Sequence, residues 1–340
     1  LATIGEDEPI EPGTYYVDPQ NGTDAPDSGR QSGSGAWKSL HYAVDLINSG
    51  AIGSYTLNLA PGTYTLISEG VDEPLVLNQD ITLIGNGAIL DGAGDHGNSD
   101  NPWTSGLIIG PGAANVTISG LTIQNFKNGT LINTDGGCIN FDDITVSQCD
   151  TGLKLVDTYQ ATVDLTGSSL SGNRVGVHLT SGSSGNIVRN GVVTSNADGI
   201  RLASEGQSPD DNRFEDIDVT TNTGHGIVIY DGCGNVISDS RIIGNNTGRA
   251  SHGGIAVFAG RNQVVGSTIE QNNCYGVYAD DALASQPLVA VNNDWGAAGG
   301  PQHPDYNPAG TGNAVSDHVE FMPWTGFVPA DDDDNDGWPA

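Results

Sequence analysis

Asn173-Arg-Val-Gly-Val-His-Leu179 and Asn196-Ala-Asp-Gly-Ile-Arg-Leu202 state one phrase twice: an Asn turn, a Gly, then an apolar–polar–apolar alternation. Working outward, the phrase recurs as Gly129-Thr-Leu-Ile, Gly152-Leu-Lys-Leu, Gly226-Ile-Val-Ile, Gly254-Ile-Ala-Val and Gly276-Val-Tyr-Ala. The spacings along the series are 23, 24, 23, 27, 28 and 22 residues. A fixed period of this size is the signature of a solenoid, in which each repeat is one coil stacked on the last. The two long intervals hold loop insertions, Glu205 to Asp211 and Thr247 to His252. A second marker keeps the same beat: Asn125, Cys149, Asn173, Asn196, Asn222, Asn245 and Asn272 fall at equivalent turns, where stacked Asn side chains can form a hydrogen-bonded ladder.

Side chains alternate faces along a strand, so the second and fourth positions of the phrase point inward and the third outward. Leu153, Val177, Ile200, Ile227, Ile255 and Val277 then form one interior stack, and Leu155, Leu179, Leu202, Ile229 and Val257 another. The same period-two grammar marks Tyr55 to Leu59, Ile81 to Ile84 and Val116 to Ile118 as earlier strands. Trp37, Leu40, Val44 and Ile47 recur at helical spacing, which predicts an amphipathic helix over about 37–47, capping the first coil. The fold expected is all-β, a single right-handed parallel β-helix with an N-terminal capping helix. Its expected organisation is an extension over 1–14, a β-helix domain over 15–328 and an acidic tail over 329–340; within the domain, regular coils run over about 115–292 and a closing segment over 293–328.

Composition agrees with many short strands: 49 Gly, 6% aromatics and a single Met in 340 residues. The formal charge of −31, from 42 acidic against 11 basic residues, repels phosphate and argues against nucleic acid or an anionic membrane surface as partner. No stretch approaches the ~20 apolar residues of a membrane span, so no membrane insertion is expected. The chain opens at Leu1-Ala2-Thr3 without Met or a hydrophobic leader, as predicted for an exported or cell-surface protein after signal-peptide removal. Cys138, Cys149, Cys233 and Cys274 lack metal-type spacing and lie coils apart, so free, packed thiols are expected, with one disulfide left open. Sequons at Asn21, Asn115, Asn128 and Asn245 are assigned no role.

Several segments resemble pectate-lyase-like β-helix proteins across nearly the whole chain. Tyr15-Tyr-Val-Asp-Pro, Trp37-Lys-Ser-Leu with Ala43-Val, and Leu59-Ala-Pro-Gly-Thr-Tyr resemble their N-terminal cap. Asn293-Asp-Trp-Gly, Gly300-Pro, Asn307-Pro and Val319-Glu-Phe-Met-Pro-Trp324 resemble the closing segment of secreted members. Such motifs specify architecture more than activity. The tail Asp331-Asp-Asp-Asp-Asn-Asp-Gly337 resembles the start of Asp-rich calcium-binding linkers. That resemblance implies Ca²⁺ held by Asp331, Asp333 and Asn335 and further domains of a longer chain; an acidic terminus without metal is the plainer reading.

The outward column reads Leu131, Lys154, His178, Arg201, Val228, Ala256, Tyr278. Strands stack ~4.8 Å apart, so Lys154, His178 and Arg201 should make one cationic row on an otherwise acidic protein. Asp198 and His225 precede the Gly of neighbouring coils, Tyr230 follows its strand, and Asp157 stands nearby; with Tyr278 they frame the row. The C5 proton of a uronic acid becomes removable once its carboxylate is neutralised, by Arg201, His178 or bound Ca²⁺. Lys154 is then the candidate base, and His178 or Tyr230 the candidate acid toward the leaving oxygen. The resemblance implies such a Lys and Arg pair, since some alginate and chondroitin lyases of this fold use one on this sheet. The expected activity is β-elimination or C5-epimerisation of an acidic, uronate-containing polysaccharide. The alternative is a non-catalytic cell-surface or matrix protein, with adhesive, glycan-binding or calcium-binding roles, whose row is neutralised by Asp157, Asp198 or Asp150. Hydrolysis has echoes in Asn196-Ala-Asp198-Gly and Gly224-His225-Gly226, but Val175 and Thr151 stand where its further carboxylates would be needed.

Overall fold

The computed structural model describes residues 9–65, 74–92, 104–248 and 251–327. Among the described residues every pairing between strands is parallel, and each strand pairs with the strand one coil away, as in β-helix coils Thr151–Val156 on Val175–Thr180 on Asp198–Leu202. Two sheet systems result. Among the described residues one is nine-stranded, running from Val76–Leu77 to Tyr275–Ala279, and the other has nineteen strands and covers the remaining two faces. The long strands Ile81–Asp91 and Asn115–Gln124 join those two faces, and from Cys138–Asp142 and Thr145–Ser147 onward they run as separate stacks. The architecture is the right-handed parallel β-solenoid expected.

Both predicted interior stacks occur residue for residue: Leu153 faces Val177, Val177 faces Ile200, Ile200 faces Ile227, Ile227 faces Ile255, and Ile255 faces Val277. They belong to one continuous buried cluster extending from Tyr15 to Phe321. The glycine of the phrase is fixed by close approach. A Cβ at Gly152 would sit 2.7 Å from the Gly176 carbonyl oxygen, and one at Gly176 would sit 2.6 Å from that of Gly199. Neighbouring coils could not pack at that corner with any larger residue.

The Asn ladder is present and buried. The Oδ1 atoms of Asn196, Asn222, Asn245 and Asn272 each accept the backbone N–H of the preceding ladder residue at 2.9–3.0 Å, and Asn313 closes the series on Asn272. One rung differs from expectation. Asn128 pairs with Thr151, so the residue equivalent to Cys149 is the buried Phe126; Asn125 instead turns at φ 64° and bonds Asp91. A second ladder, Asn186, Asn212, Asn235 and Asn262, and a third using Ser168, Ser240, Ser267 and Asn293 stabilise other corners. Buried amide groups of this kind satisfy turn N–H groups that no sheet partner reaches.

The helix spans Leu40–Ser49 and buries Leu40, Val44 and Ile47. It starts three residues later than expected because Trp37 is engaged before it. The Trp37 N–H donates to the Tyr16 carbonyl, its ring stacks on Tyr15, and its indole N–H donates to the Ala25 carbonyl. Coil pairing begins at Thr14–Val17, and Val319–Glu320 of the closing segment pairs with Leu288–Val289. All four cysteines are free, but only Cys149 is packed; Cys138, Cys233 and Cys274 are exposed. Asp331, Asp333 and Asn335 lie outside the described residues.

Candidate functional site

The outer face of the nine-stranded sheet carries the candidate residues, and its register is the predicted column. Lys154 lies beside Leu131 and His178, His178 beside Arg201, and Arg201 beside Val228, followed by Ala256 and Tyr278. At ~4.8 Å per strand the charged row spans about 10 Å and the whole column from Lys154 about 24 Å.

Each cation has a carboxylate neighbour. Lys154 Nζ is 3.9 Å from Oε2 of Glu205, an exposed residue of the first insertion loop. Arg201 Nη2 donates to Oδ2 of Asp198, three residues back on the same strand. Asp198 is 1% exposed; its Oδ1 accepts the His225 backbone N–H at 3.1 Å and lies 3.5 Å from His225 Nδ1. Asp198 and His225, expected to touch substrate, are therefore beneath the surface, where Asp198 holds Arg201 and is itself bonded by His225. Asp157 is an exposed turn residue at φ 45°, and among the described residues no ion pair links it to the row. Asp150 pairs with Arg174 instead.

His178 is the electrostatic centre of the row. Burial first, then the charges of Lys154, Arg201 and Arg174, push its imidazole down to about 4. The ring is neutral at physiological pH, and its buried Nε2 meets no hydrogen-bond partner among the described residues. Positive charge is thus confined to the two ends of the row.

Beyond Arg201 the face turns aromatic. The Arg201 guanidinium stands 5.9 Å from the Tyr230 ring, and Tyr230, 39% exposed, stacks on Phe258 at 5.4 Å. Phe258 meets Tyr278 at 6.0 Å, and His252 lies 4.5 Å from Tyr278 and 5.6 Å from His225. Val228 and Ala256 occupy outward positions in these coils yet are fully buried and outside the interior cluster, so this part of the sheet is roofed. The sequence reading found Tyr230 and Tyr278 but missed Phe258, His252 and Tyr275. A signal existed, since the next outward position, four residues after each Gly, reads Val156, Thr180, Ala203, Tyr230, Phe258.

Stacked coils, three parallel faces and a polar and aromatic column on one outer surface define a pectate-lyase-like parallel β-helix protein. Solved structures share the fold. The A-module of Azotobacter vinelandii mannuronan C-5 epimerase AlgE4 is 15% identical, with 83% of this chain and 92% of that one covered and a TM-score of 0.54. Pectate lyase Pel9A is 16% identical, with 96% and 83% covered and a TM-score of 0.53. The GH87 α-1,3-glucanase catalytic domain is 14% identical, with 80% and 54% covered and a TM-score of 0.52. At these identities the likeness is one of fold. No curated protein matches the sequence. The family model described as periplasmic copper-binding protein (NosD) matches residues 85–256, just over half of the chain, and the chain belongs to that family.

Copper, named in the family's description, does not fit the residues described. Among them no group of three or more His, Cys, Asp or Glu side chains is arranged to hold a metal ion, and the rings of His225 and His252 lie tilted at 31° with centroids 5.6 Å apart. Copper binding usually draws on several convergent imidazole or sulfur donors. Among the described residues no helix is long and apolar enough to cross a membrane.

Proposed function

We propose that this is an exported carbohydrate-active β-helix protein whose nine-stranded face takes up an acidic, uronate-containing polysaccharide and acts on it by β-elimination or C5-epimerisation. The carrying observation is the register that sets Lys154, His178 and Arg201 on three adjacent strands beside an aromatic shelf. Arg201, braced by buried Asp198, neutralises the substrate carboxylate and so acidifies C5. Lys154 serves as base only in its neutral amine form: once its ammonium has given a proton to solvent, the Nζ lone pair takes the C5 proton and the ammonium is restored. In elimination the electron pair forms the C4–C5 double bond as the C4–O4 bond breaks, and the Tyr230 hydroxyl protonates O4; in epimerisation the C4–O4 bond stays intact and the Tyr230 hydroxyl instead gives its proton to C5 on the opposite face. His178, neutral between the cations, spares the row a third charge. Export accords with the periplasmic description of the family. The helix Leu40–Ser49 is assigned as the N-terminal cap, since Leu40, Val44 and Ile47 join the cluster that the coils enclose. Ca²⁺ at Asp331, Asp333 and Asn335 is part of the proposal for the tail, and calorimetric titration of the full chain with Ca²⁺ tests it.

The test of activity is incubation with alginate, pectate and glycosaminoglycans, following the ultraviolet absorbance of unsaturated uronates and epimer content by NMR. Product that disappears in Lys154→Ala supports the proposal; no product with any of them refutes catalysis. One observation favours a second reading, a non-catalytic cell-surface or matrix protein: both cations already have carboxylate neighbours, Glu205 and Asp198. That reading prevails if Lys154→Ala and Arg201→Ala leave glycan binding unchanged while calcium chelation alters stability or assembly.

A further inference from the structure

Past the aromatic shelf, at the C-terminal end of the same face, lies a cleft of about 240 Å³ that the chemistry above does not use. Tyr275 and Tyr278, with ring centroids 5.8 Å apart, form one wall, and Gln302, Ser316, Asp281 and Asp317 contribute the polar lining. We infer that this cleft is a subsite for an uncharged sugar ring, a neutral hexose or N-acetylhexosamine, of the same polysaccharide chain. The inference rests on the reading that this face binds glycan.

Three features support it. Aromatic faces stack on the C–H surface of a pyranose, and Tyr278 ends the column that begins at Lys154. The two carboxylates are open: Asp281 is 97% and Asp317 69% exposed at the side chain, and each has an imidazole neighbour, His318 at 3.8 Å and His303 at 3.2 Å. Carboxylates in this setting accept hydrogen bonds from sugar hydroxyls and repel a uronate. Finally, Tyr278 keeps its hydroxyl proton, because burial first and then Asp280 and Asp281 raise its pKa, so it remains a donor. Arg201 and Tyr278 are separated by three strand spacings, about 14 Å. A single extended chain along the helix axis, passing over the Tyr230 and Phe258 rings where Val228 and Ala256 are roofed, therefore meets cations at one end and a charge-excluding aromatic cleft at the other, which selects a polymer mixing uronate with uncharged residues over a homouronate.

The experiment is calorimetry of the full chain with hexasaccharides of hyaluronan, which alternate uronate with N-acetylhexosamine, and of galacturonate, together with N-acetyllactosamine followed by tyrosine fluorescence. The mixed hexasaccharide is expected to bind roughly tenfold more tightly than the homouronate. In Tyr278→Ala that ratio falls to about one, whereas in Lys154→Ala both affinities drop and the ratio persists; thermal melting confirms that both variants fold. A ratio near one in the parent protein, or a ratio untouched by Tyr278→Ala, overturns the inference. If neither hexasaccharide binds, the glycan-face reading fails. The cleft is then judged by N-acetyllactosamine alone: binding abolished by Tyr278→Ala sustains the subsite, and no binding refutes it.

Discussion

Protonating His178 should cost the folded protein stability within a defined pH window. The imidazole stands between Lys154 and Arg201, and folding lowers it from 6.5 to about 4. At about 1.4 kcal/mol per pH unit, this corresponds to at most roughly 3 kcal/mol. Above pH 6.5 the ring is neutral in both folded and unfolded chains, and stability is unaffected by it. As the pH falls from 6.5 toward 4, the unfolded chain binds a proton that the folded one refuses, so stability drops. Below about 4 both states are protonated and the loss is complete. Many carboxylates titrate across the same range, so the informative quantity is the difference between the parent and His178→Gln. Urea unfolding by tryptophan fluorescence at pH 7, 5.5 and 4 should show the parent losing up to roughly 3 kcal/mol more than the variant. Parallel curves, or an NMR titration of His178 near 6.5, would refute the buried, cation-flanked placement.

Other expectations concern the scaffold and the row. Asn222→Ala removes an amide whose Oδ1 takes the Asn196 N–H and whose Nδ2 donates to the Val193 carbonyl. It should destabilise by about 3 kcal/mol in urea unfolding, since buried polar groups lose their partners. Gly176→Ala, whose Cβ would sit 2.6 Å from the Gly199 carbonyl, should lower the melting temperature by several degrees on differential scanning calorimetry, whereas Gly206→Ala, which meets nothing within 4 Å, should be near neutral. Lys154→Ala breaks only a partly exposed pair and should cost under about 1 kcal/mol, while Arg201→Ala deprives the buried Asp198 of a hydrogen-bonded cation and should cost about 3 kcal/mol. Comparison of their denaturation midpoints checks the contrast.

The coils were legible because three constraints repeat with one period: a Gly where coils touch, an Asn at the turn and inward apolar pairs. The charged column followed from strand alternation alone. The burial of Asp198 and His225 did not, because sequence gives the face of a strand but not what covers it. The second ladder, Asn186 to Asn262, was missed although its spacings are 26, 23 and 27, since its corner lacks a glycine phrase to announce it. Asn125 misled for the opposite reason. Its position before an apolar alternation imitates a rung, but the register seats Phe126 there. The aromatic shelf was half legible: Tyr278 stands in the outward column and Tyr230 and Phe258 each follow their Gly by four residues, whereas His252 comes from an insertion loop, where period no longer dictates placement.

The most direct measurement is a crystal structure of the full chain with a bound uronate-containing hexasaccharide. Sugar density is expected along the outer face of the nine-stranded sheet, with a carboxylate between Lys154 and Arg201 and the chain running toward Tyr278. Density over either of the other two faces, or a sugar chain lying across the coils away from this column, would contradict it.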